Sequence, residues 1–411
     1  MMALFRRRGK GVKSGMATRP VGTSDIHHRT WWPGVALGVS VSCACAYQQF
    51  KLPPILPDLL REHPHAPAVA AGFMSVYALI GLMVSQPLGR WLQGEGRLGR
   101  GLALAGIVTA VGGALALLWP DSSILFLAGR GLEGLGFAVC AIAGPAIAAQ
   151  AAAPRDLPFV TGLLAGWIPM GQIVGALVAA QFPDWRVLWW LGIVLALGMI
   201  ALGNRSHGAL ARRSTAEEKP SPRQARLLWL GGCIFLMWSG QYFAFMTWLT
   251  SYLEVQRGLS LRASVGAYLL PVVVLLAFNI ITGWALGKGL PLLRALIIGL
   301  ASQALVWMLA PFADGWIGLA LLLVYGVGAG VVPTCLWHMP HRIVEGTARA
   351  GAFGIVMAAR NIGVFFGPLV LGVLVEGPED WPLSFHIMTG VTLCATAFAI
   401  VLRWLLLKHA R

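Results

Sequence analysis

The sequence predicts an all-α membrane protein in which twelve transmembrane helices form two pseudosymmetric six-helix bundles. Three observations carry this. Of 411 residues, 57% are hydrophobic and 11% charged, with a mean hydropathy of +0.73, which excludes an ordinary soluble domain. The apolar residues gather in twelve runs, each near the roughly 20 residues needed to cross about 30 Å of hydrocarbon. One long polar stretch, 204–226, divides those runs into two sets of six.

Residues 1–30 are basic and polar, with no apolar core and no small-residue cleavage site, so they read as a disordered cytoplasmic tail and not as a signal peptide. Met16 is an alternative start within it. The first bundle, 31–203, holds runs at 31–52, 68–90, 101–119, 122–149, 159–182 and 186–203. The stretch 204–226 reads as a cytoplasmic linker. The second bundle, 227–407, holds runs at 227–252, 265–287, 292–311, 316–338, 348–375 and 385–407, and 408–411 form a short tail. Lys and Arg accumulate on the cytoplasmic side of short loops. Of the 31 present, 24 fall on the side of the termini and only Lys51, Arg61, Arg186, Arg257 and Arg262 on the other, which places both termini in the cytoplasm. Trp31, Trp32, Trp229, Trp284 and Trp404 on one side, and Trp119, Trp185, Trp316 and Trp381 on the other, fall at the depths of aromatic belts.

Shifting the chain by 196 residues lays Gly134 on Gly330, Gly171 on Gly367 and Asp184-Trp185 on Asp380-Trp381, the register of a duplicated six-helix half. Local strings add to this. The fourth run contains GRGLEGLG, the eleventh NIGVFFGPLVLG, and the loop after the second run reads GRWLQGEGRLGR. In these the chain resembles the major facilitator superfamily. Arg130, Glu133 and Gly134 match the fourth-helix Arg-x-x-polar-Gly motif, and Gly363, Gly367 and Pro368 the Gly-x-x-x-Gly-Pro motif. That second motif is usually stronger in the fifth helix, where this chain has a displaced Pro169. Gly89, Arg97, Gly99 and Arg100 match the loop signature and are the gating residues the resemblance implies, although Gly96, beside Glu95, stands at its Asp position. The strings FKLPPILP, MSVYALIGLMVSQPLG and FAFMTWLTSYLE are similar to the branch of cyanate and nitrate carriers. The resemblance implies alternating access about a central site, and a bacterial plasma membrane is the expected location.

Ionisable groups inside hydrocarbon are costly and mark candidate sites. Arg130 lies about 13 Å and Arg360 about 18 Å into their spans at 1.5 Å per residue, both near the midplane. Glu133, three residues after Arg130, shares its helix face and is the expected proton-coupling group. Arg360 has no acid in its span, with Asn361 as polar neighbour. These three charges sum to one surplus positive, which a small organic or inorganic anion would neutralise. Substrate contacts are expected from Arg130, Arg360, Asn361, Gln48, Tyr77, Gln241 and Tyr242, with Tyr47, Gln172, Trp248, Asn279 and Tyr325 as further polar or aromatic lining. Lys51, near the end of the first run, reads as snorkelling to the surface. His338 and His341 read as loop residues at the end of the tenth run.

The net charge of +15 follows from topology, so no nucleic-acid partner is expected. Cys43, Cys45, Cys140, Cys233, Cys335 and Cys394 all sit in apolar runs, as small hydrophobes. Neither a metal, a cofactor nor a nucleophile constellation is indicated, so the chain reads as no enzyme, and no GxxxxGK[ST] loop is present, so ATP is not expected to drive its cycle. The partners expected are a small anionic solute, protons or a counter-anion, and lipid, with the chain as a monomer. The preferred reading is anion transport by proton symport or anion exchange. The competing one is proton-coupled export of hydrophobic or cationic compounds.

Overall fold

The computed structural model describes residues 29–92, 97–153, 155–182, 184–205, 220–344, 349–375 and 377–408. The expected tail before residue 29, most of the linker, and Glu95 and Gly96 lie outside them. Among the described residues the chain is helical throughout. The first half comprises α1 (Trp32–Phe50), α2 (Leu56–Glu62), α3 (Pro67–Leu92), α4 (Arg97–Leu118), α5 (Ser123–Ala151), α6 (Leu157–Ala165), α7 (Trp167–Gln181) and α8 (Trp185–Arg205). The second comprises α9 (Pro222–Ser251), continued by a π-helical turn at Tyr252–Gln256, then α10 (Leu261–Gly287), α11 (Leu292–Leu309), α12 (Gly315–Ile343), α13 (Arg349–Leu374) and α14 (Trp381–Lys408). Ten of these helices are long and apolar enough to cross a membrane. The 19-residue α1 and the α6–α7 pair stand at the places of the first and fifth runs.

The fifth run is broken because Pro169 falls four residues after Ala165, where a continuous helix would need a Pro N–H and would drive the ring into the Ala165 carbonyl. Gly166 takes up the break, and Pro169 sits in the first turn of α7, where it is tolerated. Polar caps set other ends. Ser221 and Gln224 form a reciprocal capping box at the start of α9, and Ser122 and Ser260 cap α5 and α10. At the other end of α9, Gly258 has φ of 65°, and Leu259 N–H returns to the Leu253 carbonyl at 3.1 Å. That left-handed conformation closes the helix at little steric cost only for glycine.

The repeat is visible as equivalent contacts. Gly171 on α7 lies against Ala46 and Tyr47 of α1, and Gly367 on α13 against Gly240 of α9. Gly134 on α5 lies against Tyr77 of α3, and Gly330 on α12 against Leu275 and Asn279 of α10. Each matched glycine lets the same pair of helices approach in its own half. A Cβ at Gly367 would stand 2.1 Å from the Gly240 carbonyl oxygen, a backbone atom that cannot step aside. Gly367→Leu is therefore expected to cost about 3 kcal/mol or more through overpacking, read as a large drop in detergent melting temperature and folded yield.

Bonds between the halves collect from the middle of the helices toward the end remote from the termini, here termed distal. The Tyr242 hydroxyl donates to Gln172 Oε1 at 2.9 Å, and Gln172 Nε2 donates to the Tyr268 hydroxyl at 3.2 Å. Phe50 packs on Phe243 at 5.6 Å, Thr250 donates to the Pro53 carbonyl, and Arg61 pairs with Glu254 at 2.8 Å. The molecule is thus closed at its distal end.

Three expectations are corrected. Trp185 and Trp381 are buried, 0% and 4% exposed, so they are packing residues and not belt anchors. The indole of Trp185 donates to Glu62, and Trp381 packs on Tyr252. The other seven tryptophans are well exposed, as a belt requires. His338 and His341 lie within α12, because its helix runs on to Ile343 past Pro340; His338 Nδ1 approaches the Thr334 carbonyl at 2.8 Å. Lys51 is fully buried, which shapes the site.

Candidate functional site

Two buried cationic centres occupy the middle of the molecule, and they differ in how far their charge is balanced. The first lies inside the N-terminal half. Tyr47, Gln48, Gln49 and Lys51 end α1 in a polar cluster, and Lys51 lies three residues after Gln48, on the same face. Lys51 Nζ donates to Glu133 Oε1 at 2.7 Å and to Gln48 Oε1 at 2.9 Å, with its ammonium 4.3 Å from the Trp189 ring centroid. Snorkelling fails because a carboxylate within reach and an aromatic face hold the ammonium in place.

Arg130, on α5, is 0% exposed. Its Nε donates to the Phe73 carbonyl at 3.0 Å, Nη1 to the Gln48 carbonyl at 3.0 Å and to Glu133 Oε2 at 2.5 Å. Nη2 donates to the Gln49 carbonyl at 3.1 Å and faces the Met74 sulfur at 3.9 Å. A guanidinium has five N–H groups, and all five are used here. Arg130 therefore offers no donor to a substrate in this conformation, contrary to expectation. Two of its partners, the Gln48 and Gln49 carbonyls, lie at the C-terminal end of α1, a place where a cation is stabilised.

Glu133 is equally enclosed. Its carboxylate accepts from Lys51, from Arg130 and from the Tyr77 hydroxyl at 2.7 Å, and its side chain has no exposed surface. Its three donors and lack of exposed surface hold the carboxylate inside the network in this state. Tyr77 and Gln48 are also consumed internally: Tyr77 lies 3.0 Å from the Gln48 carbonyl, and Gln48 Nε2 donates to the Gly192 carbonyl at 2.6 Å. Both were expected to touch substrate; both instead complete the network around Glu133. Two cations on one carboxylate leave this centre with one surplus positive charge.

The second centre lies at the seam between the halves. Arg360, on α13, is 9% exposed, and its Nη1 donates to Asn361 Oδ1 at 3.0 Å. Its guanidinium carbon stands 5.3 Å from the centroid of Phe243, whose ring also meets Phe50 of the other half and Tyr242. Among the described residues no carboxylate lies within 4.0 Å of it, and the remaining donors have no protein acceptor there. The Tyr268–Gln172–Tyr242 chain runs alongside, joining α10, α7 and α9. Asn361 faces α3, its amide nitrogen 4.0 Å from where a Cβ on Gly81 would stand. Arg360, Asn361 and Tyr242 are thus brought together.

Gln241 is not part of this group. It points to the far side of α9, where Oε1 accepts from the Trp307 indole and from Thr392 at 3.0 Å, and Nε2 reaches Gln303 at 3.4 Å. One residue along a helix turns a side chain by about 100°, enough to separate Gln241 from Tyr242. The residues expected to gate sit at the α3–α4 junction. Gly89 is within α3, while Arg97, Gly99 and Arg100 form the first turn of α4, with Arg97 Nη1 3.5 Å from the Trp91 carbonyl. Among the described residues no cluster of three metal-ligating side chains is found.

Sequence reasoning missed Lys51 as a partner of Glu133, Tyr268 as the end of the cross-half chain, and Phe50 and Phe243 beside Arg360. The signal for Lys51 was present in the polar run Tyr47-Gln48-Gln49 inside an apolar segment. The aromatic pair carried none, since its residues resemble any other core position.

Comparison with known proteins agrees with this architecture. The family model described as Major Facilitator Superfamily matches residues 38–350. A human protein, monocarboxylate transporter 11, is 25% identical over 371 residues, covering 84% of this chain and 77% of that one. The crystal structure of a point mutant of the nucleoside transporter NupG superposes with a TM-score of 0.74 at 13% identity, over 90% of this chain and 99% of that one, a likeness of fold.

Proposed function

Since the chain belongs to the major facilitator superfamily and is a secondary transporter, we propose that its solute is a small organic anion of the monocarboxylate kind, held by Arg360. One observation carries the proposal: a buried guanidinium at the seam of the halves, with most of its fork free and no carboxylate to balance it. Leaving such a cation uncompensated in a low dielectric is costly, and a bound carboxylate removes that cost while filling the fork bidentately. The name of the human relative points to the same solute class. Asn361 and Tyr242 orient the anion beside Arg360, and the Phe50–Phe243 pair receives its apolar portion. Lys51, Arg130 and Glu133 act behind this site, their surplus charge raising the local potential without touching solute.

Alternating access then proceeds by rocking of the halves about Arg360. With the termini read as cytoplasmic, the distal closure shuts the outer side of the site. The anion moves either with a proton or in exchange for another anion. Uptake into proteoliposomes separates these from drug export. Radiolabelled lactate, pyruvate and benzoate are expected to accumulate under an imposed pH gradient or against internal unlabelled anion. Absence of carboxylate flux in both formats, together with dye efflux that survives Arg360→Gln, would establish the exporter reading instead.

A further inference from the structure

The distal closure contains an acid pair drawn from the two halves. Arg61 Nη2, on α2, bonds Asp58 Oδ1 of the same helix at 2.6 Å and Glu254 Oε2 of the π-helical turn at 2.8 Å. Each acid keeps one further oxygen, Asp58 Oδ2 and Glu254 Oε1, that is buried and has no hydrogen-bond partner among the described residues. Two carboxylates therefore share one nitrogen of one cation, giving a net charge of −1 if both are ionised. The neighbours do not correct this. Glu62 is taken by the Trp185 indole at 3.2 Å and Arg186 at 3.0 Å, and His63 turns to Asp121 at 2.7 Å. Arg257 pairs with Asp314 and Tyr252, and Lys51 with Glu133. Buried acceptors without donors cost free energy, and one proton on the pair would supply a donor and cancel the charge.

We propose that Asp58 and Glu254 together hold a single proton in the closed state, forming a latch that shuts the distal gate when the distal medium is acidic. Burial raises the Asp58 carboxyl above its ordinary value, against the opposing pull of Arg61, in keeping with this. Opening the gate parts Glu254 from Asp58 and wets both acids, which weakens proton binding, and this outweighs the opposite effect of losing Arg61, so the open state binds the proton more weakly. By linkage, protonation favours closure, and deprotonation favours opening. The proton enters and leaves on the distal side, so the latch regulates access and carries nothing across. It is independent of which solute Arg360 binds.

The test is a distance measurement without any anion. Spin labels at Phe182→Cys and Phe312→Cys, both exposed and one per half, report distal opening in a Cys394→Ser background. The population with long distances is expected to grow several-fold between about pH 5 and about pH 8, a range spanning a raised carboxyl. Asp58→Asn with Glu254→Gln should abolish that pH response. Should the double variant express poorly, Asp58→Asn alone should reduce it strongly, and Arg61→Gln should move its midpoint upward. A pH response unchanged by these substitutions, or none in the parent, overturns the latch. Neither result bears on the anion reading.

Discussion

Glu133→Gln is expected to lower the stability of the folded protein by about 3–5 kcal/mol, the range seen when one partner of a buried ion pair is removed. Lys51 and Arg130 are both 0% exposed, and Glu133 is the carboxylate between them. The neutral amide leaves two cations facing one another with no counter-charge and places an NH2 group where donors already point. Lys51→Met should behave differently. It keeps an apolar stem against Trp189, removes the surplus charge and leaves Arg130–Glu133 balanced, so its effect should stay within about 1 kcal/mol. Combining Lys51→Met with Glu133→Gln should recover part of the loss, because the two residues interact directly. Melting in detergent measures all three. If Glu133→Gln melts within about 2 °C of the parent, a shift far below what such a loss implies, the carboxylate is not what holds this centre together.

The fold was legible because membrane crossing imposes a length and a composition that survive any detail of packing. The eleventh run, expected at 348–375, is α13 at Arg349–Leu374; the second, expected at 68–90, is α3 at Pro67–Leu92. The repeat was legible for the same reason, since a glycine that lets two backbones meet cannot be exchanged freely. The site was legible only in part. Depth along a helix can be counted, so Arg130 and Arg360 stood out, but the direction of a side chain around its helix could not be assigned in spans with apolar residues on every face. That is why Gln241 and Tyr242, adjacent in sequence, were grouped although they point apart. Lys51 was misplaced for a related reason. A lysine at the end of a span ordinarily reaches water, and only Glu133, 82 positions away in sequence, changes its environment.

Arg130 and Arg360 do not occupy equivalent places in the repeat, one lying on the fourth span and the other on the eleventh, so nothing in the pseudosymmetry requires a common role. Their surroundings separate them: five donors used on Arg130, one on Arg360. Arg360→Gln should therefore weaken binding of the proposed anion while leaving the fold intact, since no acid is stranded by the loss of its charge. A charge-assisted hydrogen bond is worth about 1.5–3 kcal/mol, so affinity for the proposed carboxylate should fall roughly 10- to 150-fold. Arg360→Lys keeps the charge without the planar fork and should recover only part of that affinity. Arg130→Gln should show the reverse pattern, a lower melting temperature and less folded protein, with the affinity of the folded fraction little changed. Equilibrium binding of labelled carboxylate, read beside melting curves, distinguishes the two. Equal losses of affinity in Arg130→Gln and Arg360→Gln would mean that the halves rearrange on binding to bring Arg130 out of its cage, and the assignment of Arg360 as sole anchor would fail.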